Sequence, residues 1–257
     1  MAEVQNNGLE AGEKEVIPDY VIVDVRTPFV CFLHWLLVAA MIVLSVTGFY
    51  IGYPDLLVGQ GEAWQTFMMA KVRFVHFISA AVLIITLMLR LYFSFSPGCR
   101  RDILDILPTP KNIWMALKLA WFYITMKGEH AHFRFINPIG GIAIFLMINF
   151  FIIEIATGFT LYFQQADVIT WGWAITMTDQ IEIWMGGMTK VRLYHHLIMW
   201  ILITMVTIHI YMQIWKDIFF DDAGIVSIIA GYKVFHRDVV DHHVDRYKDR
   251  GIKQNDP

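Results

Sequence analysis

Residues 190–215 read KVRLYHHLIMWILITMVTIHIYMQIW, and this stretch decides the fold. Between positions 193 and 215 it contains no Asp, Glu, Lys or Arg. A helix needs about 20 mostly apolar residues to cross a bilayer. His195, His196 and His209 interrupt the apolar run. Ionisable groups inside a membrane are costly and usually pair or serve a function. The stretch therefore predicts a membrane-spanning helix with functional histidines.

Three further segments have the same apolar character, and together they predict four spans, numbered one to four in chain order: residues 28–51, 71–94, 137–162 and 191–216. The 257-residue composition agrees, with 57% hydrophobic and 17% charged residues, against about 45–50% and 25% in soluble domains. The net charge of −3 provides no basic field for nucleic acid. The prediction is an all-α integral membrane four-helix bundle, divided into an N-terminal segment 1–27, a membrane domain 28–216 and a tail 217–257.

Two shorter apolar stretches do not qualify as spans. Residues 112–126 carry Lys118 in mid-run and predict an amphipathic helix in the membrane interface. Residues 168–178 are rich in Trp and are interpreted as an apolar loop.

The charges of the connecting loops predict the orientation. The connection 95–136 contains six Lys and Arg residues, whereas 52–70 and 163–189 contain none. The positive-inside rule places 95–136 in the cytoplasm, so both termini are cytoplasmic and spans two and four run inward. We expect a multi-pass protein of the cytoplasmic (inner) membrane, in contact with lipid.

Four histidines fall at two depths in the predicted bundle. His34 and His209 each lie about 9 Å from the cytoplasmic surface at a rise of about 1.5 Å per residue, while His76 and His195 lie near the outer ends of spans two and four. His209 follows His195 by fourteen residues, which leaves a rotation of about 40° and a separation of about 21 Å along the helix. His196 points about 140° away from His209 and is interpreted as a polar contact at the membrane edge.

Two imidazoles at one depth on neighbouring helices suit a haem with two axial histidines, because bundles build such sites from inward-facing side chains. The expected pairs are His76 with His195 on the outer haem iron and His34 with His209 on the inner haem iron. One alternative is four separate histidines that form hydrogen bonds across helices. A second is a haem-free proton or ion transporter, with Glu154 in span three as part of a relay.

An internal repeat marks the outer level. The pattern K-V-R-x-x-H opens span two at residues 71–76 and span four at residues 190–195. Arg73 and Arg192 lie about one turn above their histidines, where haem propionates would emerge, and arginine binds carboxylates through paired hydrogen bonds. Snorkelling of both arginines to the interface is the alternative.

A second repeat lies in the outward-running spans. Thr47-Gly48-Phe49 ends span one, and Thr157-Gly158-Phe159 ends span three. Glycine allows a ring or a backbone to approach closely. The neighbour of Gly48 and Gly158 is then either the outer haem or, as in many membrane bundles, another helix packed on small residues.

The repeat does not extend to the inner level. Ile144 stands where span three would match His34, and Arg90 stands where span two would match His209. Arg90 follows His76 by fourteen residues, so it shares that face at the inner depth. We predict that Arg90 pairs with an inner propionate; the alternative is snorkelling at the end of a helix.

Four motifs carry a family resemblance: Phe32-Leu33-His34-Trp35, Arg73-x-x-His76, Arg192-Leu193-Tyr194-His195-His196-Leu197 and His209-Ile210-Tyr211. Over residues 20–235 the chain resembles the two-haem cytochrome b subunit of membrane-bound respiratory nickel–iron hydrogenases. It is also similar to the gamma subunit of respiratory formate dehydrogenase, which has a related four-span plan. The adjacent histidine pair and His209-Ile210-Tyr211 are closer to the hydrogenase branch.

The resemblance implies two haem b groups and a place in hydrogen:quinone electron transfer. Electrons would leave the hydrogenase small (iron–sulfur) subunit, whose large subunit holds nickel and iron, and cross from the outer to the inner haem. They would reduce a quinone, menaquinone or ubiquinone, near the cytoplasmic side. In the formate dehydrogenase relative, the quinone site involves an Asn-x-Gly motif near the start of the third span. The corresponding stretch here is residues 137–141, with the sequence NPIGG. Asn137 and Gly140 are therefore the corresponding residues, with one extra residue between them. The alternative is a helix start with Asn137 as N-cap.

Overall fold

The computed structural model describes residues 20–54, 67–95, 103–127, 133, 136–164, 168–220 and 224–236. The predicted segments 1–27 and 217–257 therefore lie partly outside the described residues. The described elements are, in chain order, β1 (Tyr20–Asp24), α1 (Pro28–Gly52), α2 (Met68–Phe95), α3 (Ile103–Ile106), α4 (Pro110–Thr125), α5 (Pro138–Phe163), α6 (Val168–Met185), α7 (Met188–Phe220), α8 (Gly224–Ile229) and β2 (Tyr232–His236).

The four-span prediction is confirmed, because α1, α2, α5 and α7 are long and apolar enough to cross a membrane. They are spans one to four, and spans two and four are longer at both ends than the apolar runs indicated. Local chemistry determines where two of them start. Thr27 accepts a hydrogen bond from the Val30 amide at 3.4 Å to cap span one, and Asn137 caps span three. Each cap is followed by a proline, whose fixed φ suits the first turn.

The spans pack as two hairpins, span one on span two and span three on span four. The hairpins share one buried apolar cluster: Ala40, Leu83, Leu87, Phe151, Ile198 and Leu202. Within the sequence of span four, Ile198 and Leu202 lie between His195 and His209. The cluster therefore separates the two histidine levels with apolar side chains.

Large apolar side chains also cover the outside of the spans. Ile42, Ile85, Met88 and Ile208 are all more than half exposed in the isolated chain. Monomeric soluble proteins rarely expose contiguous apolar surface on this scale. The outward-facing apolar surface fits lipid as the surrounding medium.

The interpretation of residues 168–178 as a loop is wrong. They form the first part of α6, a helix that is kinked at Trp171 and packs on spans three and four. Gly186 and Gly187 take positive φ values of 86° and 103° and turn the chain into span four. Up to that turn the only glycine is Gly172, and no proline interrupts the helix.

The elements outside the four spans and α6 extend the predicted plan. Helix α4 covers the expected amphipathic segment and packs against span three; its place in the membrane interface stays a prediction. Strands β1 and β2 pair antiparallel, from Tyr20 opposite His236 to Asp24 opposite Tyr232. This ribbon was not expected in an all-α chain. It places the segments flanking spans one and four at the same end of the bundle.

Candidate haem-binding sites

Each outer histidine is held by a threonine of its own hairpin. The Thr47 hydroxyl lies 2.8 Å from Nδ1 of His76, and the Thr157 hydroxyl lies 2.9 Å from Nδ1 of His195. Both threonines are buried, Thr157 completely. The same contact therefore occurs twice, between spans one and two and between spans three and four.

The threonines favour one tautomer of the imidazoles. Each hydroxyl also donates to a carbonyl one turn back in its own helix, Thr47 to Val43 at 2.7 Å and Thr157 to Ile153 at 2.9 Å. Because a hydroxyl has a single hydrogen, its oxygen then accepts from the Nδ1–H of the histidine. This leaves the Nε2 lone pair as the metal-binding position of each ring.

The glycines of the two Thr-Gly-Phe motifs make room for these rings. A Cβ at Gly158 would lie 3.3 Å from Cε1 of His195, and a Cβ at Gly48 would lie 3.7 Å from Cε1 of His76. At Gly158 the closest side chain is therefore the imidazole of a predicted ligand, whereas at Gly48 the Met199 Sδ, at 3.4 Å, lies closer than the His76 ring. Contact of the glycines with haem itself stays a prediction.

Glu154 distinguishes the two outer histidines. Its Oε1 lies 3.3 Å from Nδ1 of His195, beside the Thr157 contact. Its Oε2 is buried and has no hydrogen-bond partner among the described residues. In the part of the chain that the structure describes, no carboxylate comes within ion-pair distance of His76. Nδ1 of His195 therefore lies beside both the Thr157 hydroxyl and the Glu154 carboxyl, whereas Nδ1 of His76 lies beside the Thr47 hydroxyl.

The predicted ligands lie within electrostatic range of one another at two levels, and His196 lies within the same range of both outer histidines. His76 and His195 are close enough for electrostatic interaction between their rings, and so are His34 and His209. His196 packs on span one, where a Cβ at Gly52 would lie 2.9 Å from its Cε1. The bundle thus contains two pairs at two levels, with His196 beside the outer pair.

The inner pair lies among cations. Arg26 and Arg90 lie within electrostatic range of His34, and Lys216 lies within range of His209. The Arg90 guanidinium also donates to the Ser94 hydroxyl at 2.8 Å. Cations within this range of the inner histidines would suit the carboxylates of a haem.

A family model described as "Prokaryotic cytochrome b561" matches residues 25–231. The chain belongs to the prokaryotic cytochrome b561 family. Haem b is therefore its cofactor, and the four apolar helices make it a multi-pass inner-membrane cytochrome.

Relatives of this cytochrome carry similar names. The chain is 31% identical over 204 residues to the "Probable Ni/Fe-hydrogenase 1 B-type cytochrome subunit" of Escherichia coli K12, covering 78% of this chain and 86% of the relative. It is 31% identical over 234 residues to the "Probable Ni/Fe-hydrogenase B-type cytochrome subunit" of Bradyrhizobium diazoefficiens, covering 88% and 90%. The protein of that same name from Cupriavidus necator is 28% identical over 212 residues, covering 79% and 83%.

The residues of this cytochrome fit haem b. A bis-histidine haem takes two protein ligands, here neutral imidazoles whose Nδ1 positions are engaged at the outer level. Among the described residues there is no group of three or more His, Cys, Asp or Glu that could hold a metal ion without such a cofactor. The assignment of His34, His76, His195 and His209 as axial ligands stays a prediction that this geometry supports.

The predicted propionate and quinone contacts fall at different places in the cytochrome. Arg73 and Arg192 are exposed at the outer ends of spans two and four. Asn137 accepts a hydrogen bond from the Gly140 amide at 2.6 Å, so both residues take part in the N-cap of span three. Propionate binding by the arginines and quinone binding at the cap remain predictions.

Sequence reasoning did not identify several residues of the sites. Thr47 and Thr157 were interpreted only as parts of the Thr-Gly-Phe repeat. That repeat was the signal that could have identified them as partners of the outer histidines. Nothing in the sequence singled out Arg26 or Lys216, which lie near the ends of the apolar runs. Their helices bring them to His34 and His209 only through packing between spans.

Proposed function

We propose that the chain is a dihaem b-type cytochrome that anchors a periplasmic nickel–iron hydrogenase and transfers its electrons through the membrane to quinone near the cytoplasmic side. The observation that carries this proposal is the placing of four histidines at two levels of the bundle, where Thr47 and Thr157 hold Nδ1 of the two outer rings and where the rings of each level lie within electrostatic range of each other. When bound, the haems supply one-electron chemistry, and the protein supplies ligands and polarity.

The proposed partners are the small iron–sulfur and the large nickel–iron hydrogenase subunits. The names of the three relatives support this choice over formate dehydrogenase. The loops 52–70 and 163–189, which carry no Lys or Arg, support a periplasmic position for the outer pair. Electrons would therefore enter at His76 and His195.

The proposed electron route runs through the bundle from the outer to the inner histidines. His195 and His209 are about 21 Å apart along span four at about 1.5 Å per residue. Leu83, Leu87 and Ile198 belong to the buried cluster between the levels and exclude water there. The proposed end of the route is a quinone, menaquinone or ubiquinone, near Asn137 and Gly140 at the inner end of span three.

A haem count on the purified full chain tests the proposal. The pyridine haemochrome assay should give two haem b per chain in the wild type and one in His209→Ala. His196→Ala is the matched control, because it also removes an imidazole from span four but not a proposed ligand; it should keep two. Absence of haem from the wild type, purified from cells supplied with haem, would reject the cytochrome mechanism. Two haems in His209→Ala would reject the inner pair.

Activity of the complex tests the electron route separately. His209→Ala should abolish hydrogen-dependent quinone reduction while the hydrogenase still reduces a soluble dye. If quinone reduction persists at the wild-type rate, the inner haem is not on the route.

A further inference from the structure

The two outer histidines have unequal surroundings, although their helices repeat. In span three, Glu154 precedes Thr157 by three residues, and in span one the equivalent position is Leu44. The Glu154 carboxyl therefore reaches Nδ1 of His195 at 3.3 Å, with no counterpart from span one at His76. The two repeated segments thus differ by one polar residue, Glu154, which lies beside the predicted ligand His195.

We propose that Glu154 is a positioning residue that acts through His195 to lower the midpoint potential of the outer haem. The proposal rests on the proposed ligand pair His76 and His195. It assigns the asymmetry of the outer site to a single side chain.

The physical reason is the basicity of the ligand. An acceptor at the Nδ1–H of a metal-bound imidazole orients the ring and makes its Nε2 a stronger donor. A stronger donor stabilises ferric over ferrous iron, and hydrogen bonding to ligands is one means by which proteins set haem potentials. The Glu154 carboxyl oxygen adds a second polar group beside Nδ1 of His195, next to the Thr157 hydroxyl. His76 has only the first kind of contact, from Thr47.

The lowered potential suits the proposed direction of transfer. An electron that arrives at the outer haem moves inward more favourably when the outer potential lies below the inner one. Glu154 lies at the outer level, where such a decrease favours inward transfer.

A redox titration of the hydrogenase–cytochrome complex, monitored by the absorbance bands of the haems, tests the proposal. In Glu154→Leu, which installs the residue type of Leu44, the ferric preference of the outer site should fall about tenfold, the lower end of effects seen for outer-shell partners of metal ligands. For one electron, this corresponds to an upward shift of about 59 mV. The inner haem should keep its potential.

Two further variants keep the test decisive. Glu154→Gln retains an acceptor oxygen and should shift the outer potential upward by less than Glu154→Leu. Asn149→Leu is the matched control, because Asn149 is an exposed polar residue of span three whose amide donates to the Phe145 carbonyl; it should shift neither haem. The titrations are repeated with His209→Ala added, so that the remaining signal belongs to the outer haem.

The outcomes separate this proposal from the proposed function. Haem bound with an unchanged or lowered outer potential in Glu154→Leu would overturn the role of Glu154 and leave the cytochrome function intact. If the Glu154→Leu variant loses the outer haem, the midpoint potential of the outer haem in Glu154→Gln is the deciding measurement. An unchanged outer potential in that variant would overturn the proposed role of Glu154. Absence of haem from the wild type would instead reject the ligand assignment. The low-spin ferric EPR signal should change in Glu154→Leu and remain unchanged in Asn149→Leu.

Discussion

Replacing the two matched threonines by valine should have unequal effects on the outer haem. Valine keeps the shape of threonine and removes the hydroxyl, so neither buried position gains a cavity. In Thr47→Val the Nδ1–H of His76 loses the acceptor that lies at 2.8 Å. In Thr157→Val the Nδ1–H of His195 still has Glu154 Oε1 at 3.3 Å. We therefore expect Thr47→Val to weaken haem binding more than Thr157→Val.

The expected magnitudes follow from this difference. A buried donor left without a partner costs about 1–3 kcal/mol, whereas an ordinary hydrogen bond contributes about 0.5–1.5 kcal/mol net. Loss of an outer-shell partner lowers metal affinity by about 10–100-fold. Thr47→Val should fall in that range, and Thr157→Val should lose less than about tenfold. Adding Glu154→Leu to Thr157→Val also removes the carboxyl oxygen beside Nδ1 and should increase the loss beyond that of Thr157→Val alone.

Transfer of haem to an excess of apomyoglobin measures these affinities, with the two haems of the cytochrome distinguished in the reduced-minus-oxidised spectrum. Thr204→Val is the control, because Thr204 is exposed on span four and its hydroxyl donates only to the Trp200 carbonyl at 2.9 Å. It should release haem at the wild-type rate. Equal losses in Thr47→Val and Thr157→Val would refute the reasoning that Glu154 substitutes for Thr157.

Three other predictions concern the neighbouring positions and the orientation. Gly158→Ala should displace His195, because its Cβ would lie 3.3 Å from the ring, and should reduce outer haem content more than Gly48→Ala, whose Cβ would lie 3.7 Å from His76; equal haem contents would contradict this. Arg90→Gln should lower the inner midpoint potential by removing a cation within electrostatic range of the inner pair, and an unchanged titration curve would contradict it. Reporter fusions at both termini should be active only in the cytoplasm, and a periplasmic signal from either would reverse the proposed orientation.

The spans and the two histidine levels could be predicted because both follow from single-helix geometry. Fourteen residues between His195 and His209 determine their common face and their separation, whatever the neighbouring helices do. The apolar runs likewise predict that the four helices exist, but they do not predict the residues at which the helices begin and end. Span four continues to Phe220 because Lys216 and Asp217 are compatible with a helix once outside the apolar run.

Features that depend on contacts between distant segments could not be predicted in the same way. The Thr47–His76 and Thr157–His195 bonds require the crossing geometry of two helices, and the Thr-Gly-Phe repeat indicated only that the positions were equivalent. The β1–β2 ribbon pairs residues 20–24 with residues 232–236. Because the two strands are so far apart in the sequence, no local hairpin signal indicates that they pair. Helix α6 was mistaken for a loop because its tryptophans give no clear helical periodicity.

The two levels differ in charge in a way that gives the bundle a direction. Arg26, Arg90 and Lys216 lie within electrostatic range of the inner histidines, and a cation near a haem there would favour the ferrous state because reduction lowers the net charge of the iron. On the proposed ligation, Glu154 stabilises the ferric state at the outer level through His195. On the proposed ligation, both effects would act in the same direction and make the inner haem the better electron acceptor. Combining Glu154→Leu with Arg90→Gln should therefore narrow the gap between the two midpoint potentials more than either change alone, and an additive result would indicate that the two levels are set independently.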